Sequence, residues 1–155
     1  MIDNYLSGPR ADRSRRQLAE LCFGVVRRLR SHAAELAGEF GLSFLQSRAL
    51  WRLEQPLATG ALAEQLGLDR SNVTSIVDRL ESGGFVTREA HPEDRRVKLL
   101  TLTPAGRAVR TALDERIFTT VTLFDALTED ERAQLSALLS TILERAESEP
   151  APAAP

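Results

Sequence analysis

Several kinds of residue and motif are scarce or missing in this sequence of 155 residues. Cysteine occurs once, as Cys22, so no disulfide framework can form, which is typical of a reducing compartment. No apolar run approaches the ~20 residues that a membrane-spanning helix needs, and residues 1–10 lack the apolar stretch of a signal peptide. We therefore expect a cytoplasmic protein without a membrane partner.

Patterns that carry enzyme chemistry are also missing. The sequence has no nucleophile elbow, no phosphate-binding loop and no cysteine or histidine ligands at zinc-binding spacing. Its two histidines, His32 and His91, stand far apart. We therefore expect neither an enzyme nor a protein that holds a metal or another cofactor.

Charge of one sign is not in large excess, since the formal net charge is −2. This balance by itself argues against a nucleic-acid partner. The charges are unevenly spread, however: residues 10–30 contain seven arginines and two acids, whereas residues 125–155 contain seven acids and two arginines. The hydrophobic share of 43% predicts a globular chain with one core.

Apolar residues at helical spacing predict two helices in the first third of the chain. The first covers residues 14–40. The second begins at a capping box, in which Ser43 and Gln46 satisfy each other's backbone N–H groups, and Pro56 stops it.

The central region, about residues 57–102, is organised differently. Residues 57–59 suit a small strand, and a short helix follows over residues 60–66. Gly67 marks a tight turn, after which the carboxylate of Asp69 is placed to cap the next helix. Two short helices joined in this way predict a helix-turn-helix.

The second helix of this pair has one apolar and one polar face. Apolar residues recur at helical spacing from Val73 to Leu80 and predict a buried face. In a helix-turn-helix the second helix enters the major groove of DNA, where arginine can pair with guanine and asparagine with adenine. The candidates for contact with bases and phosphates are Arg70, Ser71, Asn72, Thr74, Ser75 and Arg79.

The next two segments, residues 85–89 and 97–102, are rich in strand-forming residues and flank a polar segment. They predict a two-stranded hairpin with a charged tip, which forms the wing of a winged helix-turn-helix. We expect Arg95 or Arg96 to enter the adjacent minor groove, and Asp94 to pair with a neighbouring arginine. The alternative is an ordinary solvated turn. The wing candidates for DNA contact are Arg88, Asp94, Arg95 and Arg96.

Two further helices are predicted after the wing. Thr103 begins the first as its N-cap, and its apolar positions extend to Phe124. A capping box at Thr128 and Glu131 begins the last helix. The apolar stripes at the two chain ends exceed what a winged unit needs, which favours a symmetric homodimer. The alternative is that these helices pack on one another within a monomer.

Several stretches of the sequence resemble one family of regulators. LAEQLGLD at 62–69, VTSIVDRLESGG at 73–84 and FVTR at 85–88 are followed by PEDRR at 92–96 and LTLTPAG at 100–106. Together they resemble the MarR family over about residues 15–147. The resemblance implies a mostly α-helical fold with a small β-hairpin, in which a winged helix-turn-helix is flanked by N- and C-terminal dimerisation helices.

The resemblance also implies a function. Members of this family are cytoplasmic dimers that bind a pseudo-palindromic operator in duplex DNA, and are commonly repressors released by a small aromatic or hydrophobic molecule or by oxidation. The expected organisation is a flexible arm at 1–12, one domain over 13–147 with a DNA-binding lobe at about 57–102 and dimerisation helices at about 14–40 and 104–147, and a disordered tail at 148–155.

Candidates for sensing a signal lie on the first two helices. Cys22 resembles in position the reactive cysteine of the family's organic-hydroperoxide-sensing branch, but the tyrosines that help this branch have only Tyr5 as a counterpart. The alternative for Cys22 is a small buried hydrophobe. His32 either belongs to the sensing site or is an imidazole of the core or interface. Phe44 and Trp51 either line an effector pocket or belong to the ordinary core.

A second class of function stays open from the sequence alone. Residues 69–98 contain six basic and six acidic side chains and therefore have no net charge, whereas a DNA-binding surface is usually positive. A winged-helix module that binds another protein, without binding DNA, is therefore the alternative to a transcription regulator.

Overall fold

The computed structural model describes residues 11–91, 93 and 96–148, and all statements about the fold refer to these residues. They form two compact units, which meet in sequence between Thr120 and Val121. The elements are α1 (Ala11–Glu39), α2 (Phe44–Arg52), β1 (Leu57–Ala58), α3 (Thr59–Leu66), α4 (Arg70–Ser82), β2 (Val86–Ala90), β3 (Lys98–Leu102), α5 (Pro104–Thr119) and α6 (Glu129–Ser148).

This architecture confirms the expected class, a mostly α-helical winged helix-turn-helix with a small antiparallel sheet. Most of the expected arm, at residues 1–10, and most of the expected tail, at 149–155, lie outside the described residues. The single domain over 13–147 stays a prediction. None of the described helices is both long and apolar enough to cross a membrane.

The core of the first unit lies among the C-terminal end of α1, α2, α3, α4, the sheet and the facing side of α5. Its fully buried side chains come from positions that the apolar spacing singles out, because a helix returns to the same face every three to four residues. Those with almost no exposed surface are Leu50, Leu62, Val73, Val77, Leu80, Val86, Leu100 and Leu113.

The sheet has three strands in the order β1-β3-β2, and both pairings are antiparallel. The wing hairpin joins β2 to β3 with Val86 opposite Leu102 and Ala90 opposite Lys98. The third strand, β1, is short and pairs Leu57 with Leu100. The small strand suggested at residues 57–59 is thus confirmed for Leu57–Ala58, while Thr59 begins α3, and β3 lies in the centre of the sheet.

Most helix starts follow the predicted capping chemistry. In the Ser43–Gln46 box, the Gln46 N–H donates to Ser43 Oγ at 3.3 Å, and the Ser43 N–H donates to Gln46 Oε1 at 2.7 Å. Thr103 Oγ1 accepts from the Gly106 N–H at 3.0 Å at the start of α5. Asp69 differs from the prediction: it occupies the N-cap position of α4, but its carboxylate accepts no hydrogen bond from the first turn of that helix.

The predicted extension of the fifth helix to Phe124 is wrong, because α5 ends at Thr119. The residues that follow are Thr120, Val121 and Thr122, and such β-branched side chains lose rotamer freedom in a helix. The hydroxyls of Thr119 and Thr120 also donate back to the carbonyls of Glu115 and Arg116, which satisfies acceptors at the helix end.

Two polar contacts join α1 to α5 within the first unit. The guanidinium of Arg116 donates to both carboxylate oxygens of Glu39, at 2.5 and 3.0 Å. One helical turn towards the C-terminus of α5, Thr120 Oγ1 lies 3.0 Å from His32 Nε2. Because the single Thr120 hydroxyl proton is well placed for the Arg116 carbonyl at 2.7 Å, its oxygen is free to accept from a His32 Nε2–H group.

The second unit consists, among the described residues, of a turn-rich segment followed by α6. The capping box predicted at Thr128 and Glu131 is present: the Thr128 N–H donates to Glu131 Oε2 at 2.8 Å. These hydrogen bonds from Thr128 lower the pKa of Glu131. The acidic side chains in the first turn of α6 also stabilise the helix, because they lie at the positive end of its dipole.

Replacing Gly106 with alanine should destabilise the first unit. An added Cβ would lie 2.0 Å from the Phe85 carbonyl oxygen, so the first turn of α5 would have to move away from the wing. We expect the free energy of unfolding to fall by about 1–3 kcal/mol in denaturant titrations. The matched control is Gly38→Ala in α1, where an added Cβ meets nothing within 4 Å and should stabilise by about 0.5–1 kcal/mol. Equal effects of the two substitutions would contradict this packing.

Replacing Glu39 with glutamine should remove a pH-dependent part of the stability. Hydrogen bonding to Arg116 holds the pKa of Glu39 below its ordinary value. A carboxyl whose pKa is lowered by folding stabilises the protein above its unfolded pKa of about 4.3, and this contribution disappears as the pH falls through the folded pKa. The difference in unfolding free energy between the parent and Glu39→Gln should therefore be present near neutral pH and vanish in strong acid. A difference that is independent of pH would contradict the pairing.

Candidate nucleic-acid interface

The two helices of the helix-turn-helix are joined by a tight turn at Gly67. This residue has a φ of 65°, in the left-handed region that glycine adopts without strain. The Leu68 N–H donates to the Ala63 carbonyl at 3.1 Å and closes the end of α3. On the other side of the turn, the guanidinium of Arg70 lies over Gly60, where any larger residue would meet it. Arg70 thus connects the start of α4 to the start of α3.

The recognition helix α4 separates its apolar and polar faces as the sequence predicts. Val73, Val77 and Leu80 have no exposed surface, and Ile76 is half-buried. The polar face is open to solvent along the whole helix. Its exposed side chains include the six candidates on this helix, Arg70, Ser71, Asn72, Thr74, Ser75 and Arg79, together with Asp78 and Ser82.

Two hydroxyls on this polar face use their protons within the helix. Thr74 Oγ1 donates to the Arg70 carbonyl at 2.9 Å, and Ser75 Oγ donates to the Ser71 carbonyl at 3.4 Å. Each oxygen keeps its lone pairs, so in this rotamer it can accept a hydrogen bond but not donate one. Base amino groups are donors and phosphate oxygens are not, so the observed rotamers suit contact with bases.

Arg88 on β2 is held by two carboxylates of α4. Its guanidinium donates to Asp78 Oδ1 at 2.5 Å and also to Glu81 Oε2. The side chain of Arg88 is 29% exposed, so this bridge is partly shielded from solvent. The bridge joins the wing strand to the C-terminal half of the recognition helix, which the sequence alone did not indicate because the three residues lie seven to ten positions apart.

Charge is unevenly distributed along α4. Its first eight residues, Arg70–Val77, contain one arginine and no acid, whereas Asp78 and Glu81 both lie in the second half. Arg88 is bonded to those two carboxylates, so both acids within α4 are paired and lie away from its N-terminal half, where Asp69 at the N-cap is the neighbouring acid. That N-terminal half is the part which contacts base edges in a helix-turn-helix.

The tip of the wing is described only in part. The His91 N–H donates to the Val97 carbonyl at 3.0 Å, and His91 Nδ1 accepts from the Glu93 N–H at 3.1 Å. Arg96 is exposed. Asp94 and Arg95 lie outside the described residues, so the predicted pairing of Asp94 with a neighbouring arginine stays a prediction.

The candidates for signal sensing lie in different environments. Cys22 is an exposed free thiol on α1, and therefore is not the buried hydrophobe of the alternative interpretation within a single chain. His32 is half-buried and bonded to Thr120. Within the described part of the chain, no cluster of three or more histidine, cysteine, aspartate or glutamate side chains is arranged to hold a metal ion.

Phe44 and Trp51 separate into two roles. Phe44 lies beneath two guanidinium groups, with Arg30 5.2 Å and Arg48 5.9 Å from the ring centroid. It lines a cavity of about 400 Å³ together with Phe23 and Arg30 of α1. Trp51 packs against the core of the first unit. Of the two residues that the sequence suggested for one effector pocket, Phe44 therefore lines a cavity and Trp51 belongs to the core.

This fold defines a class, the winged helix-turn-helix proteins. The sequence pattern of the MarR family matches residues 42–98 of the chain. A transcriptional regulator of Bacillus subtilis, YcgE, is 34% identical over 100 residues, which are 64% of each chain. The organic hydroperoxide resistance transcriptional regulator of the same organism is 29% identical over 130 residues, 83% of this chain and 88% of its own length.

Solved structures agree with these relatives. The structure of MarR from Escherichia coli without ligand superposes with a TM-score of 0.75 at 26% identity, covering 81% of this chain and 96% of MarR. A variant of MarR in complex with operator DNA gives a TM-score of 0.68 at 26% identity, covering 82% and 94%.

The chain is therefore similar in sequence and in fold to transcription regulators of the MarR family. The relatives carry the names of transcription regulators and not of enzymes, in agreement with the expectation from the sequence. The chain spans about three fifths of the curated relatives it matches first, 57% of PapX from Escherichia coli and 64% of YcgE.

A double-mutant cycle should measure the bridge between wing and recognition helix. We expect Arg88→Gln and Glu81→Gln to be coupled by about 0.5–3 kcal/mol in the free energy of unfolding, because the ions are partly shielded. The control cycle uses Arg16 and Glu20 on α1, an exposed pair at 2.9 Å that should couple by about 0.3–0.5 kcal/mol. Coupling at Arg88 no larger than in the control would show that the bridge adds no rigidity.

Proposed function

We propose that this chain is a transcription regulator that binds duplex DNA as a homodimer and places α4 in the major groove. The observation that carries this proposal is the division of α4 into a fully buried apolar stripe and an exposed polar face whose N-terminal half has no acid. The operator complex formed by a variant of Escherichia coli MarR, which has the same fold, supports it.

The exposed residues of α4 suit the reading of base edges. Arg70 and Arg79 can make paired hydrogen bonds to guanine, and Asn72 can make them to adenine. The hydroxyls of Thr74 and Ser75 offer acceptors for base amino groups, and Ser71 can contact a base or the backbone. Arg70 must leave its position over Gly60, or the groove must approach α3, for its contact to form.

The wing supplies the second part of the proposed interface. We expect Arg95 or Arg96 to enter the minor groove next to the site of α4, with Asp94 orienting one of them. Arg88 is the exception among the wing candidates. Because it is bonded to Asp78 and Glu81, we expect it to act by holding α4 against β2 rather than by contacting phosphate.

The homodimer is supported by apolar side chains that a single chain leaves in water. On α1, Leu21 is 60% and Phe23 74% exposed, and Phe118 on α5 is 79% exposed. On α6 the exposed apolar residues are Leu138, Leu139, Ile142 and Leu143. Large apolar patches of this kind mark interaction surfaces. A homodimer that buries these side chains would present two recognition helices to the half-sites of a pseudo-palindromic operator, which are about 34–36 Å apart.

We further propose that the protein is a cytoplasmic repressor that leaves its operator when a signal arrives. The cavity beside Phe44, with its apolar wall and the arginines Arg27 and Arg30, suits a small aromatic or hydrophobic effector. Exposure of the Cys22 thiol leaves an oxidant as the other candidate signal. Either signal must bind or modify one arrangement of the dimer better than another to shift its affinity for DNA.

The salt dependence of DNA binding tests the central proposal. Duplexes selected from a random pool should bind the full chain with an affinity that falls steeply with salt. Arg79→Gln and Asn72→Ala should weaken binding by about 1–3 kcal/mol and relax the selected sequence at the positions they contact. The control variant is Arg52→Gln, an exposed arginine at the end of α2. Binding without any salt dependence, or no binding at all, would favour the protein-interaction module instead.

The same titrations separate the roles proposed for the wing arginines. Arg96→Gln should reduce the slope of log affinity against log salt by about one, as the loss of one backbone contact does. Arg88→Gln should weaken binding but leave the slope unchanged, because it displaces α4 without removing a phosphate contact. A slope reduced by Arg88→Gln would show that Arg88 contacts the DNA backbone directly.

Light scattering at micromolar concentration tests the homodimer independently of DNA. We expect twice the chain mass of 17.1 kDa. Replacing Phe23 with glutamate should shift the protein towards the monomer, because a buried charge at an apolar interface is costly. A monomeric parent protein would mean that the terminal helices pack on one another within one chain.

A further inference from the structure

A small cavity in the first unit has no role in the function proposed so far. Its volume is about 190 Å³, and it lies where the connection from α2 to β1 meets β3 and the first turns of α5. It is separate from the polar face of α4 and from the cavity beside Phe44. Its walls include Leu53, Pro56, Thr101, Leu102, Arg107 and Arg110.

One wall of this cavity is positively charged. Arg107 and Arg110 both line it, and Arg107 Nη1 donates to the Leu102 carbonyl at 2.5 Å. Arg110 Nη2 donates to Glu54 Oε1 at 2.7 Å, where the Glu54 side chain is 75% exposed at the rim. Two guanidinium groups against one carboxylate leave the lining with a formal charge of +1. The deeper guanidinium, on Arg110, is only 21% exposed.

Two buried polar atoms of the lining residues have no hydrogen-bond partner within the described part of the chain. They are Arg110 Nε and Thr101 Oγ1. Arg110 Nε forms an ion pair with Asp114 Oδ2 at 3.8 Å, which is too far for a hydrogen bond. A buried donor without an acceptor is costly, and both of these groups are donors. Because both atoms are buried, an occupant with acceptor oxygens would reach them only after the Arg110 and Thr101 side chains rotate.

The opposite wall is apolar. It is formed by Leu53, Pro56 and Leu102, and the two leucines also belong to the core of the first unit. The volume is below the ~300 Å³ at which pockets for drug-sized ligands begin. A small amphipathic molecule fits this combination, with a negatively charged head on the arginines and a short carbon chain on the leucines.

We infer that this cavity binds a short-chain monocarboxylate. A carboxylate matches the planar fork of a guanidinium and can accept from two of its N–H groups at once. A single negative charge on the ligand neutralises the formal charge of the lining residues. Inorganic phosphate has no carbon chain that could pack on the apolar wall. The bound molecule would touch the connection after α2, the central strand β3 and helix α5 together. This inference does not rest on DNA binding, and it is tested without DNA.

The experiment compares three probes on the full chain at constant ionic strength. Butyrate is titrated against isotope-labelled protein, with butyramide as its neutral isostere and inorganic phosphate as the anion without a carbon chain. We expect butyrate to shift the backbone resonances of Gln55, Thr101 and Arg107 in a saturable manner, and the other two probes to leave them unchanged. Equal shifts with butyramide, or tighter binding of phosphate, would overturn the assignment.

Substitutions then locate the site. Arg110→Gln and Thr101→Val should each weaken butyrate binding, by about tenfold for the arginine. Glu54→Gln should strengthen it, because it removes the competing carboxylate while keeping the shape of the rim. Arg28→Gln, an exposed arginine of α1, is the charge-matched control. If a substitution at Arg110 unfolds the protein, the gain expected from Glu54→Gln still decides the matter, and an unchanged or weakened affinity there would refute the site.

Discussion

The burial of one apolar stripe on α4 is the constraint on which the rest of the structure depends. Val73, Val77 and Leu80 have no exposed surface, so the rotation of this helix about its axis is fixed by the core. A helix fixed in this way can only turn its other face outward, and that face consists of short polar side chains and arginines. The hydrophobic effect, which is not specific for any partner, thereby determines which side chains of α4 are available for the proposed contact with DNA.

Hydrophobic packing determines which face of α4 is exposed, and ion pairs determine the distribution of charge on that face. Counted along the chain, the helix and wing have as many acids as bases, which favours no particular partner. In three dimensions the acids of α4 are gathered at its C-terminal half and bonded to Arg88. A residue that the sequence offers as one more DNA contact is thus engaged in bracing the helix. Net charge is a poor guide to a surface when ion pairs within the chain engage part of it.

The parts of the fold that local sequence determines were predictable from it, and the parts that depend on distant residues were not. Spacing and caps located the helices, the turn at Gly67 and the hairpin, because these rest on interactions over a few residues. The Arg88 bridge and the cavity beside Arg110 join positions far apart in sequence, so no local pattern reveals them.

The end of α5 was predicted wrongly for another reason. Apolar spacing continues past Thr119, and spacing alone does not reflect the β-branched residues that end the helix. For the candidate site, the polar face of α4 was predictable and the environment of each side chain was not.

The hydroxyl of Thr103 ties three segments into one piece. It donates to the Gly84 carbonyl at 2.6 Å and accepts from the Gly106 N–H at 3.0 Å, and the Thr103 N–H donates to the Phe85 carbonyl at 3.0 Å. The residues just after α4, the entry to β2 and the first turn of α5 are therefore joined without an intervening hinge. A displacement of the first turn of α5 would therefore strain or break these hydrogen bonds at the C-terminal end of α4 and at the entry to β2.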